Sequence, residues 1–334
     1  MRIEQTIAEL ERVAAREVGR GSEALAVPAA GGLLAAARSL AGPGTPDAAV
    51  FTGFFIPGAE PPAAETDGPL GAVQIAAALR LLGGRCRLVT DEPCAPVVQA
   101  AVDAAAPGLP VDVAPLRGYD EWAATALPRY AHLTHLIACE RVGPGMDGRP
   151  RNMRGEDIGA HTAPLDQLYT AGSAFRIGIG DGGNELGMGR LPAELVGRVV
   201  ASGERIRCVV GADALIVGGT SNWAAAAIVG ALALLRPEVP ELRTLLQPAW
   251  SYDLSTRTGL GSAASPGGTA TGRRRRIRAA FRAVRVRSAR GRTGGLRVGG
   301  MSDRRRDRGI RRGAVRGGAV RGGGVRRCRS GAQR

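Results

Sequence analysis

The sequence predicts an α/β fold of three layers, in which a mostly parallel sheet carries helices on both faces. Apolar runs of strand length recur along the chain, and Ala/Leu-rich helical segments alternate with them. Such alternation is typical of βαβ units, whose strands are buried on both faces. The predicted strands are DAAVFTGF (47–54), CRLVTD (86–91), PVDVAPL (110–116), THLIACE (134–140), FRIGIGD (175–181) and ADALIVGG (212–219).

Helices are predicted between these runs and at the start of the chain. The segments are 68–84, 95–105 and 221–235, each rich in Ala, Val and Leu. The first residues place Ile3, Ile7 and Leu10 on one helical stripe, with acidic residues elsewhere. These acids argue against a secretory signal, and no uncharged stretch reaches the roughly 18 to 20 residues of a membrane helix. We therefore expect no membrane association.

The charge of the chain divides it into two parts. Residues 251–334 hold 24 Arg against 3 Asp, a net charge of +21, whereas residues 1–250 hold 21 Arg against 27 Asp and Glu, a net charge of −6. The second part is rich in Arg and Gly and has few apolar residues, which predicts a disordered tail. The sequence thus predicts an α/β domain over 1–250 and a basic tail over 251–334, which would contact nucleic acid only nonspecifically, through phosphates.

The residue types that are missing also limit the chemistry. All 45 basic residues are Arg, so a pyridoxal phosphate Schiff base and a P-loop lysine are both excluded. The five cysteines form no CxxC pair, and their odd number argues against a disulfide framework. A reducing compartment fits this pattern best.

Three polar, glycine-bearing segments follow predicted strands, where ligands bind in parallel α/β sheets. The first is TGFF (52–55) with ETDGPLGA (65–72), the second is GDGGNELGMG (180–189), and the third is GGTSNW (218–223). In the first segment, Glu65 and Asp67 precede a helix that begins with Pro69. Capping of that helix is the structural alternative, and its free amide groups could also hold a substrate carboxylate.

The second segment, residues 180–189, is the strongest glycine loop in the chain, with five glycines among ten residues. Glycine allows a ligand to approach the backbone closely. The loop also carries Asp181, Asn184 and Glu185. It lacks the spacing of a dinucleotide fingerprint, and a surface turn is the structural alternative.

A further polar loop, ERVGPGMDGRPRNMRGEDIG (140–159), follows the fourth predicted strand. Arg141 and Arg154 are candidates to clamp a carboxylate, because a guanidinium forms a planar fork of donors and the chain has no lysine. A solvated loop is the structural alternative.

Residues 48–247 resemble the D-glutamate cyclase family. The motifs that carry the resemblance are, in order, TGF, ETDGPLGA, ERVGPGMDG with NMRGEDI, IGDGGNELGMG and TSNW. The resemblance implies reversible cyclodehydration of D-glutamate to 5-oxo-D-proline, a hydro-lyase reaction on a small-molecule substrate. That chemistry needs a general base for the amine and an acid for the departing oxygen. We expect Asp67 or Glu65 and Asp181 or Glu185 to supply them.

Substrate contacts are expected from the same segments. The expected set is Thr52, Gly53, Arg141, Asn152, Arg154, Gly182, Gly183, Asn184, Ser221 and Asn222. No cofactor is required by the sequence, although a divalent cation (Mn²⁺ or Mg²⁺) on Asp181 and Glu185 would also polarise the γ-carboxyl group. The sequence does not predict an oligomeric state.

The resemblance fades near Leu246, and Arg, Gly and Ala runs are what GC-rich codons give in a shifted frame. We therefore interpret the tail as a frameshifted or misread terminus, and the chain as a cytoplasmic bacterial enzyme. Two alternatives stay open. One is another amino-acid or carboxylate lyase or isomerase on the same fold, and the other is a binding protein whose tail contacts nucleic acid.

Overall fold

The computed structural model describes residues 2–247, which are built around a parallel sheet. The strands are β1 (Asp47–Thr52), β2 (Phe55–Ile56), β3 (Ala63–Ala64), β4 (Arg85–Asp91), β5 (Val111–Ala114), β6 (His135–Cys139), β7 (Phe175–Gly180) and β8 (Ala214–Val217). Six of them form the sheet in the order β5-β4-β1-β6-β7-β8, and every neighbouring pair is parallel. β2 and β3 form a small antiparallel hairpin after β1. All six predicted strands are confirmed.

Helices connect and cover the strands. They are α1 (Arg2–Ala14), α2 (Ser22–Ala26), α3 (Gly32–Leu40), α4 (Pro69–Leu81), α5 (Ala95–Ala105), α6 (Tyr119–Tyr130), α7 (Asp166–Tyr169), α8 (Ala193–Val199), α9 (Gly203–Ile206) and α10 (Ser221–Leu235). Short 3-10 turns occupy Val27–Ala29, Gly159–His161 and Pro240–Leu246. The four helices predicted from the sequence are α1, α4, α5 and α10.

Two apolar cores lie on the two faces of the sheet. In β1, Ala48 and Val50 face the core formed with α1, α3, α4, α5 and α10, whereas Ala49 and Phe51 face the core formed with α6 and α7. This alternation follows from the two-residue period of a strand. The predicted three-layer arrangement is confirmed.

The strand order contains a topological switch point between β1 and β6. The chain runs from β1 outward through β4 to β5, and then returns to β6 on the other side of β1. Thr52 and Cys139, the last residues of β1 and β6, are register partners. Ligands bind at the carboxyl edge of such a sheet where the strand order reverses. The segments that leave β1, β6 and β7 all begin at this edge.

Two expectations concern the chain beyond the sheet. The disorder predicted for residues 251–334, and with it the nucleic-acid contact, lies outside the described residues 2–247. Among those described residues, none of the helices has the length and apolar character to cross a membrane.

Candidate active site

Three carboxyl groups meet at the switch point, each from a different segment. Asp67 follows the hairpin after β1, Glu140 follows β6, and Asp181 follows β7. One oxygen atom of each lies within 4.8 Å of the others. Glu140 and Asp181 are buried and Asp67 is half-buried. We call these three side chains the carboxylate trio, and they form the centre of the candidate site.

Glu140 is held in an unusual backbone conformation. Its φ angle is 51°, in the left-handed region that non-glycine residues seldom adopt. Its Oε2 accepts a hydrogen bond of 2.5 Å from Ser221 Oγ. Gly68, with φ of 94°, closes over it, because a Cβ atom on Gly68 would lie 2.5 Å from Glu140 Cβ. The glycine of ETDGPLGA is therefore required for close approach to Glu140.

Asp67, which precedes α4, caps the N-terminus of α10, and Asn222 of α10 caps the N-terminus of α4. The Asp67 carboxylate accepts from the backbone N–H groups of Asn222 (2.8 Å) and Ser221 (3.2 Å), at the start of α10. Asn222 Oδ1 accepts from the N–H groups of Gly68 (3.1 Å) and Gly71 (2.8 Å), at the start of α4. These amides have protein acceptors, as the capping alternative expects, and a substrate carboxylate at the start of α4 stays a prediction.

Glu185 is engaged by the backbone of its own loop. Its two carboxylate oxygens accept from the N–H groups of Asp181 (3.1 Å), Gly182 (2.8 Å) and Gly183 (2.8 Å). This nest of backbone donors shapes the glycine loop. The structure groups Asp181 with Asp67 and Glu140, whereas Glu185 bonds backbone N–H groups, and the predicted cation on Asp181 and Glu185 stays a prediction.

Arg141 lies beneath the site. Its Nη1 is 2.7 Å from Asp91 Oδ2, and both side chains are 1% exposed. The guanidinium also donates to the carbonyl oxygens of Gly53 (3.1 Å) and Ala163 (2.6 Å). These contacts give Arg141 a structural role between buried segments, and its predicted role as a carboxylate clamp stays a prediction.

The loop after β6 contains two other predicted residues, Asn152 and Arg154. Asn152 Oδ1 accepts from the N–H groups of Arg154 (2.9 Å) and Glu156 (3.1 Å), and its Nδ2 donates to Glu156 Oε2 (2.6 Å). Asn152 therefore shapes a turn within its own loop. Arg154 is exposed, and a substrate contact by either residue stays a prediction.

Two predicted residues have buried polar atoms without a hydrogen-bond partner among the described residues. Thr52 Oγ1 lies 2.9 Å from the position that a Cβ of Gly68 would take, beside Glu140. Asn184 donates through Nδ2 to the Arg151 carbonyl (2.7 Å), while its Oδ1 is unpartnered. Buried polar groups without partners are rare and call for an explanation. Both atoms are candidates to contact a ligand.

Two charged residues complete the surroundings. Arg20, which sequence reasoning missed, places Nη1 2.6 Å from Asp181 Oδ1. Its loop is fixed by Glu17 Oε1, which accepts from the N–H groups of Gly19, Arg20 and Gly21. Glu65, a predicted catalytic residue, is half-buried near the carboxylate trio, and its negative charge contributes to the raised pKa of Glu140.

The three carboxyl groups differ in their proton affinity. Burial raises the pKa of Glu140 well above its ordinary value, and the charges of Asp181, Glu185 and Asp67 raise it further. Burial also raises the pKa of Asp181, but Arg20 opposes the shift. For Asp67, the raising effect of burial is opposed by the N–H donor of Asn222 and by Arg20. Burial therefore shifts both Glu140 and Asp181 towards the protonated form, and Arg20 opposes the shift at Asp181.

A sequence model of the C-terminal domain of D-glutamate cyclase-like proteins matches residues 10–265. The chain belongs to this family. It is also 34% identical over 200 residues to human mitochondrial D-glutamate cyclase, an alignment that covers 56% of this chain and 32% of the human protein. The chain thus spans about a third of that relative's length. The resemblance inferred from the motifs is confirmed, and the family match extends beyond residues 48–247 on both sides.

A separate cleft of about 580 Å³ lies at the opposite, amino-terminal edge of the sheet. It contains none of the predicted site residues. Its lining includes Arg85, which pairs with Asp47, and Arg87, which pairs with Asp112. The family motifs and the carboxylate trio instead place the candidate site at the carboxyl edge.

Proposed function

We propose that this chain catalyses the reversible cyclodehydration of D-glutamate to 5-oxo-D-proline and water. The observation that carries the proposal is the carboxylate trio at the switch point of a D-glutamate cyclase-like chain. The name of the human relative supplies the substrate and its stereochemistry. The close approach of these three carboxyl groups supports acid–base chemistry on a small molecule.

The reaction sets two demands on the protein. The α-amine must be free of its extra proton before its nitrogen attacks the γ-carboxyl carbon, so a base is needed. As the new C–N bond forms, the nitrogen loses a further proton. One C–O bond then breaks, and the departing oxygen takes up protons and leaves as water. The reverse reaction adds water and opens the ring, so each group exchanges roles.

Glu140 and Asp181 are the proposed acid and base. Glu140 holds a proton in its buried position and would donate it to the departing oxygen, while Ser221 fixes the carboxyl group through the 2.5 Å hydrogen bond. Asp181, paired with Arg20, would accept the amine proton. Environments that separate the proton affinities of neighbouring carboxyl groups support such a division of roles. Asp67 would position the site by capping α10.

The carboxylate trio also fits a divalent cation. Carboxylate oxygens are the ligands that Mg²⁺ and Mn²⁺ prefer, and the buried Thr52 hydroxyl beside Glu140 is a further oxygen donor without a partner among the described residues. We propose that Asp67, Glu140 and Asp181 would hold such an ion in place of the Glu140 proton, so that Glu140 would be a ligand and not the acid while the ion is bound. When bound, it would polarise the γ-carboxyl group.

The test is direct. The full-length chain would be incubated with D-glutamate, L-glutamate and 5-oxo-D-proline, with EDTA, Mn²⁺ or Mg²⁺, and followed by chiral chromatography. We expect interconversion of the D-forms, and a loss of about 100-fold or more in E140Q, the usual scale of a removed acid. E194Q, which changes an exposed glutamate of α8, is the matched control. Absence of interconversion under all three ionic conditions would refute the proposal.

A further inference from the structure

Arg20 contacts the carboxylate trio through Asp181 and is itself partly exposed. Its side chain is 28% exposed, whereas that of its partner Asp181 is 2% exposed. Burial alone would lower the pKa of Arg20, but the charges of Asp181, Glu140 and Glu65 raise it above its ordinary value. The guanidinium is therefore permanently charged and partly exposed beside the buried acids.

A substrate with two carboxylates meets an electrostatic problem in this pocket. Five acidic side chains lie together here, namely the carboxylate trio with Glu65 and Glu185. Their negative charges repel an incoming anion. Of the two arginines predicted to compensate, Arg141 is buried against Asp91 and Arg154 lies exposed in the loop after β6. Arg20 supplies positive charge where the substrate would enter.

The geometry of a guanidinium suits this task. Nη1 of Arg20 contacts Asp181, and the group carries N–H donors on two further nitrogens, Nε and Nη2. Arginine binds carboxylates with parallel donors, which fixes orientation as well as charge. The loop that presents Arg20 is itself held by three backbone hydrogen bonds to Glu17.

We infer that Arg20 binds a carboxylate of the substrate while it contacts Asp181, and so sets the preference of the site for dicarboxylic amino acids. This inference rests on the proposed function for the identity of the substrate. It assigns to the N-terminal segment a residue that contacts substrate, whereas the family motifs noted above all lie after residue 50.

Binding of glutarate to the full-length chain tests the inference without turnover, because glutarate has both carboxylates and no amine to cyclise. Calorimetry with Mn²⁺ present would compare wild type with R20Q. We expect R20Q to bind about 10- to 100-fold more weakly, the range for a hydrogen bond between charged groups. R16Q, which removes the same charge from an exposed arginine four residues earlier, should bind within twofold of wild type.

Two further variants separate substrate contact from a purely structural role. If Arg20 only neutralises Asp181, then D181N/R20Q should bind glutarate as tightly as D181N. If Arg20 contacts substrate, the double variant should be weaker than D181N by the same 10- to 100-fold factor. R20K, which keeps the charge but loses the fork, should be intermediate, and it serves as the test variant if R20Q does not fold.

The outcomes are distinct. R20Q binding equal to wild type, or a double variant equal to D181N, overturns the inference, as does a wild-type chain that binds no glutarate. Unchanged KM for D-glutamate in an active R20Q enzyme overturns it while leaving the proposed function intact. Conversely, a wild-type chain that binds glutarate through Arg20 but leaves D-glutamate unconverted refutes the proposed function alone.

Discussion

Replacing Arg141 by methionine should destabilise the fold by about 3 to 5 kcal/mol, the cost of leaving a buried charge without its partner. Arg141 and Asp91 are each 1% exposed, and 2.7 Å separates Nη1 from Oδ2. In R141M, Asp91 would keep the 3.2 Å hydrogen bond from the Ala163 N–H. The carbonyl groups of Gly53 and Ala163 would lose donors at the same time.

Urea unfolding of the full-length chain, followed by tryptophan fluorescence, measures this cost. The double variant D91N/R141M should recover a large part of the loss, because no unpaired charge remains buried. R154M is the control at an exposed arginine, and its stability should stay within about 0.5 kcal/mol of wild type. If R141M instead kept its stability and raised KM for D-glutamate, Arg141 would be a substrate clamp and our structural reasoning would be refuted.

Three more predictions concern the site. Because the pKa of Glu140 is raised from 4.5, the folded chain keeps a proton that the unfolded chain releases above about pH 4.5. The free energy of unfolding should therefore fall as pH rises, by up to about 1.4 kcal/mol per pH unit. Urea titrations with EDTA at several pH values measure this slope, and E140Q should flatten it. E185A should lower the free energy of unfolding by roughly 3 kcal/mol, because three backbone N–H groups lose a charged acceptor. G68A should displace Glu140 and reduce kcat at least about tenfold, whereas G83A, with a similar φ of 79° but no atom closer than 3.9 Å to its new Cβ, should cost only about 1 kcal/mol of stability and leave kcat unchanged.

The fold could be predicted from sequence because its main determinants are local. Strands buried on both faces appear as apolar runs, such as LIAC in β6, and largely buried helices appear as Ala/Leu-rich segments, such as α10. The hairpin of β2 and β3 was missed, because each strand has only two residues and the segment contains several prolines. The strand order could not be predicted either, because the sequence of a crossover segment does not determine on which side of β1 the next strand pairs.

The candidate site could be predicted only in part. Asp67 and Asp181 were singled out because acids after parallel strands converge at one edge of the sheet. Asn222 and Glu185 looked equally suitable, yet they bond backbone N–H groups whose positions depend on the folded loops. Arg20 carried no signal, because it lies 161 residues from Asp181 in a short glycine-containing turn. Sequence reasoning can list polar residues at strand ends, but their partners depend on tertiary contacts.

The carboxylate trio sets proton and cation binding against each other. Asp67 has backbone donors and Asp181 has Arg20, whereas Glu140 accepts from the Ser221 hydroxyl, and burial with the neighbouring acids raises its pKa well above the ordinary value. A cation held by all three groups must therefore displace the proton of Glu140. While one proton is released, affinity for Mn²⁺ should rise about tenfold per pH unit, and E140Q should remove that dependence. Calorimetry of Mn²⁺ binding at several pH values measures both slopes. Equal slopes in wild type and E140Q would mean that the displaced proton belongs to another member of the trio.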